Sequence, residues 1–485
     1  MDAAGIFQAL AERGIRAKSL VADSRRVASG DVFLACPGHH VDGRSFIAEA
    51  VARGAAAVIM EAGPGMPVQV GGTPCLAVKN LAAAIGALAD RVYGAPSSRL
   101  WLAGVTGTNG KTSVSQWLAQ AMNRLGHRCA LVGTLGNGFP GALEPTGFTT
   151  PDALALHAAL ADFVARGADS CTMEVSSIGL AEQRVGGVVF AVAVLTNLTR
   201  DHLDYHGSMA AYAEAKIRLF EMPGLRAAVL NLDDELGRSL AARLQGRLPT
   251  LGYTLQGRRG TDQVLAAENL QLDAQGLRFE LDGVNYAAPL VGRFNAANLL
   301  AVIGALRARG EPAEAIAVAL TTLSPPPGRM QKLGGEDAPL VVIDYAHTPD
   351  ALEQVLGVLR EVARQRGGEL WCVFGCGGER DPGKRPLMGA VAERLADRVV
   401  VTSDNPRGEP STVIIDDILR GMSKSPPVIE DRAAAIAHAA AAAAAADVIL
   451  LAGKGHESYQ EIAGTRMPFS DIEAAKSALV ERRGT

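Results

Sequence analysis

The sequence predicts an α/β protein of three domains, with mostly parallel sheets in its central and C-terminal parts. Three observations predict it. Short apolar runs alternate with helical stretches, a Gly-rich turn joins one such run to a helix, and two Pro- and Gly-containing breaks divide the chain. The breaks are Gly94-Ala-Pro-Ser-Ser98 and Ser324-Pro-Pro-Pro-Gly328, so domains are expected over 1–97, 98–327 and 328–485. At roughly 150 residues per domain, 485 residues suit about three.

In the central piece the run Leu100–Val105 is followed by the Gly-rich turn and a helical pattern from Lys111 to Leu125. Further runs follow at Cys171–Val175, Val188–Leu195 and Ala227–Leu230. In the last piece Leu340–Ile343, Leu370–Phe374, Arg398–Thr402 and Val448–Leu451 read as strands with helical segments between them. Ligands of such sheets bind beyond the carboxyl ends of the strands, so the loops after these runs are where function is expected.

Composition narrows the class. Hydrophobic residues make up 48% and charged residues 20%, ordinary for a globular protein; aromatics reach only 5%, so the core must be built from Ala, Val and Leu. The formal net charge is -4 with no long basic run, which argues against a nucleic-acid partner. The six cysteines form no CxxC pair, Cys372 and Cys376 being the closest, and read as reduced thiols. The N-terminal stretch MDAAGIFQALAERG has acidic residues and no apolar signal core, and no window has transmembrane character. A cytoplasmic protein without a membrane partner is expected. The alanine run Ala433–Ala446 reads as a packed surface helix.

The segment Gly104–Ser113 carries the clearest chemistry. Gly107 and Gly110 let backbone N–H groups, with those of Thr108 and Asn109, turn toward phosphate oxygens, and the following helix adds its positive N-terminus. Lys111 is placed to reach the β/γ-phosphates and the Thr112 hydroxyl to bind Mg²⁺, with Ser113 beside it. Val105 stands where a strict Walker A motif has its first glycine, so only the strand–turn–helix context identifies the loop.

TGTNGKT resembles the nucleotide loop of the Mur ligase family, which includes the folylpolyglutamate synthetases. Six more segments extend the likeness: MEVSSIGL (Met173–Leu180), TNLTRDHLDYHGS (Thr196–Ser208), DYAHTPD (Asp344–Asp350), GCGGERDPGKRPLMG (Gly375–Gly389), DNPR (Asp404–Arg407) and GKGHE (Gly453–Glu457). Their order and approximate spacing are similar to the diaminopimelate-adding branch, over essentially the whole chain. The resemblance implies an N-terminal UDP-binding α/β domain, a central P-loop ATPase and a C-terminal Rossmann-like domain that binds the amino acid. It also implies an activity: ATP-dependent joining of meso-diaminopimelate to UDP-N-acetylmuramoyl-L-Ala-D-Glu through an acyl phosphate, by a monomer.

The resemblance assigns residues as well. Glu174 and His202 are implied as Mg²⁺ ligands, two ions being expected. Glu174 ends an apolar run, where a carboxylate is costly without a partner. His202 alone would read as a satisfied core histidine. Lys216 alone reads as a solvated helix lysine; the resemblance implies that CO₂ carbamylates it, turning a cation that would repel Mg²⁺ into an oxygen ligand. Asn298, Arg329, Asp344 and His347 are implied to grip ATP, while the neighbouring Asn295 is equally a helix cap. Ser24, His39, His40, Val41, Thr149, Thr150, Ser176 and Arg184 are implied to hold the UDP-muramoyl dipeptide. Phe148 and Glu182 depart from the family pattern and receive no role.

For diaminopimelate the resemblance implies Arg380, Asp404, Asn405, Pro406, Arg407, Gly453 and Glu457. Arg407 offers a planar fork for the distal carboxylate. Lysine has no such carboxylate, which separates this reading from a lysine-adding relative. DNPR, GKGHE and the long N-terminal piece weigh against a folylpolyglutamate synthetase. Intact Glu174, His202 and Lys216 weigh against a nucleotide-gated binding module without ligase activity.

Overall fold

The structure, a computed structural model, describes residues 3–38, 41–273 and 276–483. It forms two compact units: Met1–Thr106 with Gly126–Ala193 and Arg218–Arg226, and Gly107–Leu125 with Val194–Ile217 and Ala227–Thr485. Both are α/β.

In the first unit, the N-terminal sheet runs Leu20–Val21, Val32–Ala35, Ala57–Glu61, Thr73–Val78, Gln69–Val70, parallel except for the last pair. All four residues of Val32–Ala35 are buried. Val32 and Leu34 join a cluster with Ile6, Leu10 and Leu88, while Phe33 and Ala35 join one with Ile47 and Met60. A strand covered on both faces reads as one unbroken apolar run, which is why such strands stand out in the sequence. Farther along, Trp101–Thr106 pairs in parallel with Ser170–Glu174, and that strand with Cys129–Gly133. Two antiparallel strands, Gly136–Phe139 and Ala142–Glu144, extend the sheet.

The expected strand Val188–Leu195 is shorter, running Val192–Leu195 only. Val188 N donates to Val185 O, closing a turn across Gly186-Gly187, and the chain from Val188 to Ala191 is irregular, with Val188, Phe190 and Ala191 buried and Val189 exposed.

In the second unit, the helix Lys111–Arg124 follows the Gly-rich turn, and Ala227–Asn231, Thr250–Thr254 and Gln263–Ala266 form a parallel ladder. A meander of Glu268–Asp273, Gly276–Leu281 and Val284–Ala288 precedes the helix Arg293–Arg309. The C-terminal sheet runs Gln331–Gly334, Leu340–Asp344, Val448–Ala452, Leu370–Phe374, Arg398–Val401; its last four strands are parallel and match the four expected runs. Val342, Cys372, Phe374 and Leu450 face one core cluster, Val341, Ile343, Trp371 and Leu451 the other. The alanine run gives a helix over Arg432–Ala442 that packs one face, as expected: Ala435, Ala439 and Ala440 are core residues while Ala433, Ala434, Ala441 and Ala442 are exposed, and the small side chains let the helix lie close to the sheet.

Neither expected break is loose. The Ser97 hydroxyl accepts from Val189 N at 3.0 Å, and Ser324 O accepts from Trp117 Nε1 at 3.0 Å. All six cysteines are free thiols and five are buried. Among the described residues no helix is long and apolar enough to cross a membrane.

One buried ion pair fixes the loops at the carboxyl end of the C-terminal sheet. Arg432 Nε and Nη2 each donate to Asp471 at 2.7 Å, and both side chains are fully buried. Arg432 also donates to Ser403 O at 3.3 Å and Ala452 O at 2.9 Å, the residues just before DNPR and GKGHE. Removing one member of such a pair strands the other charge in a medium that cannot solvate it. Asp471→Ala should therefore destabilise by roughly 3–5 kcal/mol in denaturant unfolding, whereas a cost under about 1 kcal/mol would show the pair to be dispensable.

His157, fully buried, holds the turn after Arg184: its Nε2 lies 2.9 Å from Gly186 O, with Asp90 3.6 Å from Nδ1. Burial pulls its pKa below 6.5. The unfolded chain then binds a proton the folded chain refuses, so stability is complete above about pH 6.5 and declines as pH falls through that value. The melting temperature should fall on going from pH 7.5 to pH 5.5, and less steeply in His157→Gln; an unchanged slope in that variant would refute the assignment.

Candidate active site

Gly107 and Gly110 shape the phosphate loop for two different reasons. Both have positive φ (144° and 87°), and a Cβ would meet Thr196 Oγ1 at 1.8 Å from Gly107 and Asn298 Oδ1 at 2.5 Å from Gly110. The loop is stitched to the segment after the strand Val192–Leu195. Thr108 N donates to Asn197 O, Asn109 N to Asn197 Oδ1, and Thr199 N to the Thr108 hydroxyl. Thr108 and Ser113 are buried.

Two lysines converge on one carbonyl. Gly107 O accepts from Lys111 Nζ at 2.9 Å and from Lys216 Nζ at 2.8 Å; Lys111 also reaches Thr108 O at 3.0 Å. Lys216 is 1% exposed, with its nitrogen 4.2 Å from the Tyr212 ring centre, so the solvated helix lysine read from its local sequence is overturned. Burial, then the charge of Lys111, pulls its pKa well below the ordinary lysine value. The amine is thus biased to the neutral, nucleophilic form.

Around the loop stand the residues assigned to ATP. Asn298 lies against Gly110 and donates to Asn295 Oδ1 at 3.2 Å. Asn295 is not the helix cap: Gly292 holds that place and Asn295 Nδ2 reaches back to Val291 O. Arg329 Nη2 donates to Thr112 Oγ1 at 3.2 Å, and its guanidinium lies 4.3 Å from the Tyr345 ring centre. Its Nη1, shielded from solvent, has no hydrogen-bond partner among the described residues. A buried cationic donor left open beside a phosphate loop fits an anionic oxygen. Asp344 is buried and accepts backbone N–H groups of Met330 and Ala346, both at 2.8 Å, so it holds the Arg329 segment in place.

His202 and His347 share one carboxylate that sequence reasoning passed over. Asp201 Oδ2 lies 3.4 Å from His202 Nε2 and 3.5 Å from His347 Nε2, and Lys384 Nζ is 3.2 Å from Oδ1. Burial works to raise the Asp201 pKa, but the hydrogen bond from His347 and the charge of Lys384 outweigh it and hold the carboxylate ionised. Burial pushes the His202 pKa down to about 3, keeping its imidazole neutral, the form a metal requires. Among the described residues no three His, Cys, Asp or Glu side chains gather as a metal cage.

In the first unit, Glu174 is fully buried and accepts from Thr134 N at 2.9 Å and Thr134 Oγ1 at 3.0 Å. These neutral donors are the partners its burial demands. Thr134 Oγ1 also lies 3.0 Å from Thr149 Oγ1. Thr150 Oγ1 donates to Glu174 O and accepts from Ser176 N, and Ser176 caps the short helix Ser177–Ala181. Arg184 donates to Thr150 O at 2.9 Å. Glu174, Thr149, Thr150, Ser176 and Arg184 are thus one cluster. Phe148 and Glu182 complete it: Glu182 pairs with Arg184 at 2.6 Å and the Phe148 ring centre lies 5.6 Å from its guanidinium. Ser24 is buried and donates to Glu49 at 2.7 Å, while Val41 is exposed. His39 and His40 lie outside the described residues.

The loops after the C-terminal strands form a second polar cluster. Asp404, Asn405 and Pro406 are buried, and Gly453 sits so close that a Cβ would meet Asp404 Oδ2 at 2.4 Å. Glu457 accepts from Asn405 Nδ2 at 2.7 Å and from the buried Lys454 at 3.0 Å, so its charge already has a partner before any ligand ammonium arrives. Arg407, at φ 53°, donates to Gly378 O at 2.7 Å, and Arg380 is exposed. Thr134, Asp201, Lys384 and Lys454 were missed by sequence reasoning. The last three lie inside TRDH, RDPGK and GKGHE, and their signal was a charge within a loop that had to be buried.

Residues 16–93 match the Mur ligase family, catalytic domain; residues 105–306 the Mur ligase middle domain; and residues 328–455 the Mur ligase, glutamate ligase domain. A UDP-N-acetylmuramoyl-L-alanyl-D-glutamate--2,6-diaminopimelate ligase of Pseudomonas aeruginosa is 54% identical, covering 97% of this chain and 96% of its own. A protein of the same name from Chromobacterium violaceum is 52% identical with the same coverage. Among solved structures, one of a UDP-N-acetylmuramoyl-L-alanyl-D-glutamate--2,6-diaminopimelate ligase matches with a TM-score of 0.67 at 37% identity, over 97% of this chain and 96% of that one. MurF from Acinetobacter baumannii, at 19% identity and a TM-score of 0.66 over 96% and 93%, shares the fold. The chain belongs to the Mur ligase family.

Proposed function

We propose that this chain joins meso-diaminopimelate to the D-Glu carboxylate of UDP-N-acetylmuramoyl-L-Ala-D-Glu at the expense of ATP, giving the tripeptide precursor of peptidoglycan. The observation that carries the reading is the shared name of relatives that are about half identical over nearly their full length. ATP and a UDP-linked substrate place the work in the cytoplasm, and we take the acting species to be a monomer.

The substrate carboxylate attacks the γ-phosphorus of ATP; an O–P bond forms, ADP leaves, and the product is an acyl phosphate. The neutral amine of diaminopimelate then attacks the acyl carbon, a C–N bond forms, the amine gives up one proton to solvent, and phosphate departs with the electron pair. Lys111, the N–H groups of Gly107–Thr112 and the open Nη1 of Arg329 supply positive charge for the phosphates. Asn109, Asn298, Asp344 and His347 order the loop and its surroundings.

Magnesium, held in this reading by Thr112, Glu174, His202 and a carbamylated Lys216, supplies charge neutralisation for the transferring phosphoryl group. Lys216 takes up CO₂ through its neutral amine: an N–C bond forms, one N–H proton leaves, and a neutral group becomes an anionic oxygen ligand. Thr149, Thr150, Ser176 and Arg184, with Ser24, His39, His40 and Val41, hold the UDP-muramoyl dipeptide. Arg407 and Arg380 take carboxylates of diaminopimelate, and Asp404, Asn405, Pro406, Gly453 and Glu457 shape the ammonium site.

The test is the mass of the product from UDP-muramoyl dipeptide, ATP and meso-diaminopimelate. One added diaminopimelyl residue with stoichiometric ADP and phosphate is expected. A clear preference for lysine, or ATP turnover that needs neither co-substrate, would overturn the reading. Arg407→Ala should lower kcat/KM for diaminopimelate about 10- to 150-fold, the worth of a charge-assisted hydrogen bond of roughly 1.5–3 kcal/mol, with KM for ATP little changed.

A further inference from the structure

We propose that Asp381 and Lys384 are positioning residues for the nucleotide site, acting through Arg200 and Asp201; the proposal rests on the ligase reading above. Arg200 and Asp201 are consecutive in the loop before His202. Asp381 and Lys384 are three residues apart at the start of the helix Lys384–Leu395. The pairs meet with opposite signs. Arg200 Nε and Nη2 donate to Asp381 at 2.8 and 3.0 Å, a two-pronged contact, and Lys384 Nζ lies 3.2 Å from Asp201 Oδ1.

Three of the four charges are almost fully buried: Asp201 is 4%, Asp381 4% and Lys384 5% exposed. Charges in that position hold one geometry, because each has no water to turn to. The second oxygen of Asp201 faces His202 and His347, so the orientation of both imidazoles depends on a carboxylate anchored by Lys384. Packing enforces the same arrangement. A Cβ at Gly383 would meet Arg200 Nη2 at 2.3 Å, although the backbone there, at φ −66°, is open to any residue. Asp381 also accepts Gly383 N at 2.9 Å, which ties the Arg200 contact to the helix start. Arg380, assigned to an amino-acid carboxylate, directly precedes Asp381. Order at the amino-acid site is thereby passed to the loop that carries His202.

The experiment uses the full chain, with binding of the non-hydrolysable analogue AMP-PNP in magnesium chloride measured by calorimetry beside steady-state ligation and the melting temperature. Lys384→Ala is expected to weaken AMP-PNP binding by about tenfold or more and to lower kcat by roughly 10- to 100-fold, with KM for the UDP-muramoyl dipeptide within about twofold. Lys384→Arg should recover much of both losses, and Gly383→Ala, which changes no charge and need move only the exposed end of Arg200, should lower AMP-PNP affinity less than Lys384→Ala does. AMP-PNP affinity and kcat of Lys384→Ala within about twofold of wild type would overturn the proposal. So would equal defects in Lys384→Ala and Lys384→Arg that track only a fall in melting temperature. If Lys384→Ala does not fold, Lys384→Gln and Gly383→Ala carry the comparison. Wild-type protein that binds AMP-PNP yet ligates no diaminopimelate would sink the ligase reading while leaving this one to be judged by binding alone.

Discussion

Everything around the phosphate loop is arranged about the carbonyl of Gly107, which accepts from the amines of both Lys111 and Lys216. Two ammonium groups on one oxygen repel strongly, and Lys216 has no water to screen the repulsion. The arrangement is stable when one amine is neutral, and burial selects Lys216. The loop geometry enforces the meeting: Gly107 presents its carbonyl at a φ that favours glycine, with Thr196 filling the space a side chain would take. A neutral amine in that place is the reagent carbamylation needs, while Lys111 carries the charge beside the phosphate loop. One backbone oxygen thus sorts two chemically identical side chains into two roles.

A second constraint recurs in the C-terminal part. Each functional loop is anchored by a charge buried against its counter-charge: Arg432 with Asp471 beneath DNPR and GKGHE, Lys454 with Glu457 within GKGHE, Lys384 with Asp201 beside the histidines. Such pairs add little net stability compared with apolar packing, but they tolerate only one geometry. A ligase that must bring two anionic substrates together gains from loops whose orientation is set before either arrives.

Much of this was legible in the sequence. The parallel strands read clearly because both faces are covered, and the nucleotide loop read clearly because its chemistry is local: two glycines, a lysine and a threonine between a strand and a helix. The meander from Glu268 was passed over although Leu277, Phe279 and Leu281 alternate with polar residues; its first strand, Glu268–Asp273, is at most partly buried and gives the weakest signal of the three. Val188–Ala191 misread as strand because an irregular segment that buries Val188, Phe190 and Ala191 is as apolar as a strand. The burial of Lys216 was not legible, as AYAEAKIRLF has the pattern of an exposed helix face and its partner carbonyl lies 109 residues earlier. Thr134 escaped notice for the same reason, standing 40 residues from the Glu174 it satisfies. Long-range pairing of polar groups leaves no period in a sequence, so sites assembled that way show themselves only as charges in segments that must be buried.

The central claim is that Lys216 is held as a neutral amine able to take up CO₂. Carbon-13 NMR of the protein equilibrated with ¹³C-labelled bicarbonate near neutral pH tests it directly, with Lys216→Arg as the control. The account predicts one carbamate resonance in the wild-type protein that is absent from the variant. No resonance in the wild type, or one that persists in the variant, would contradict it.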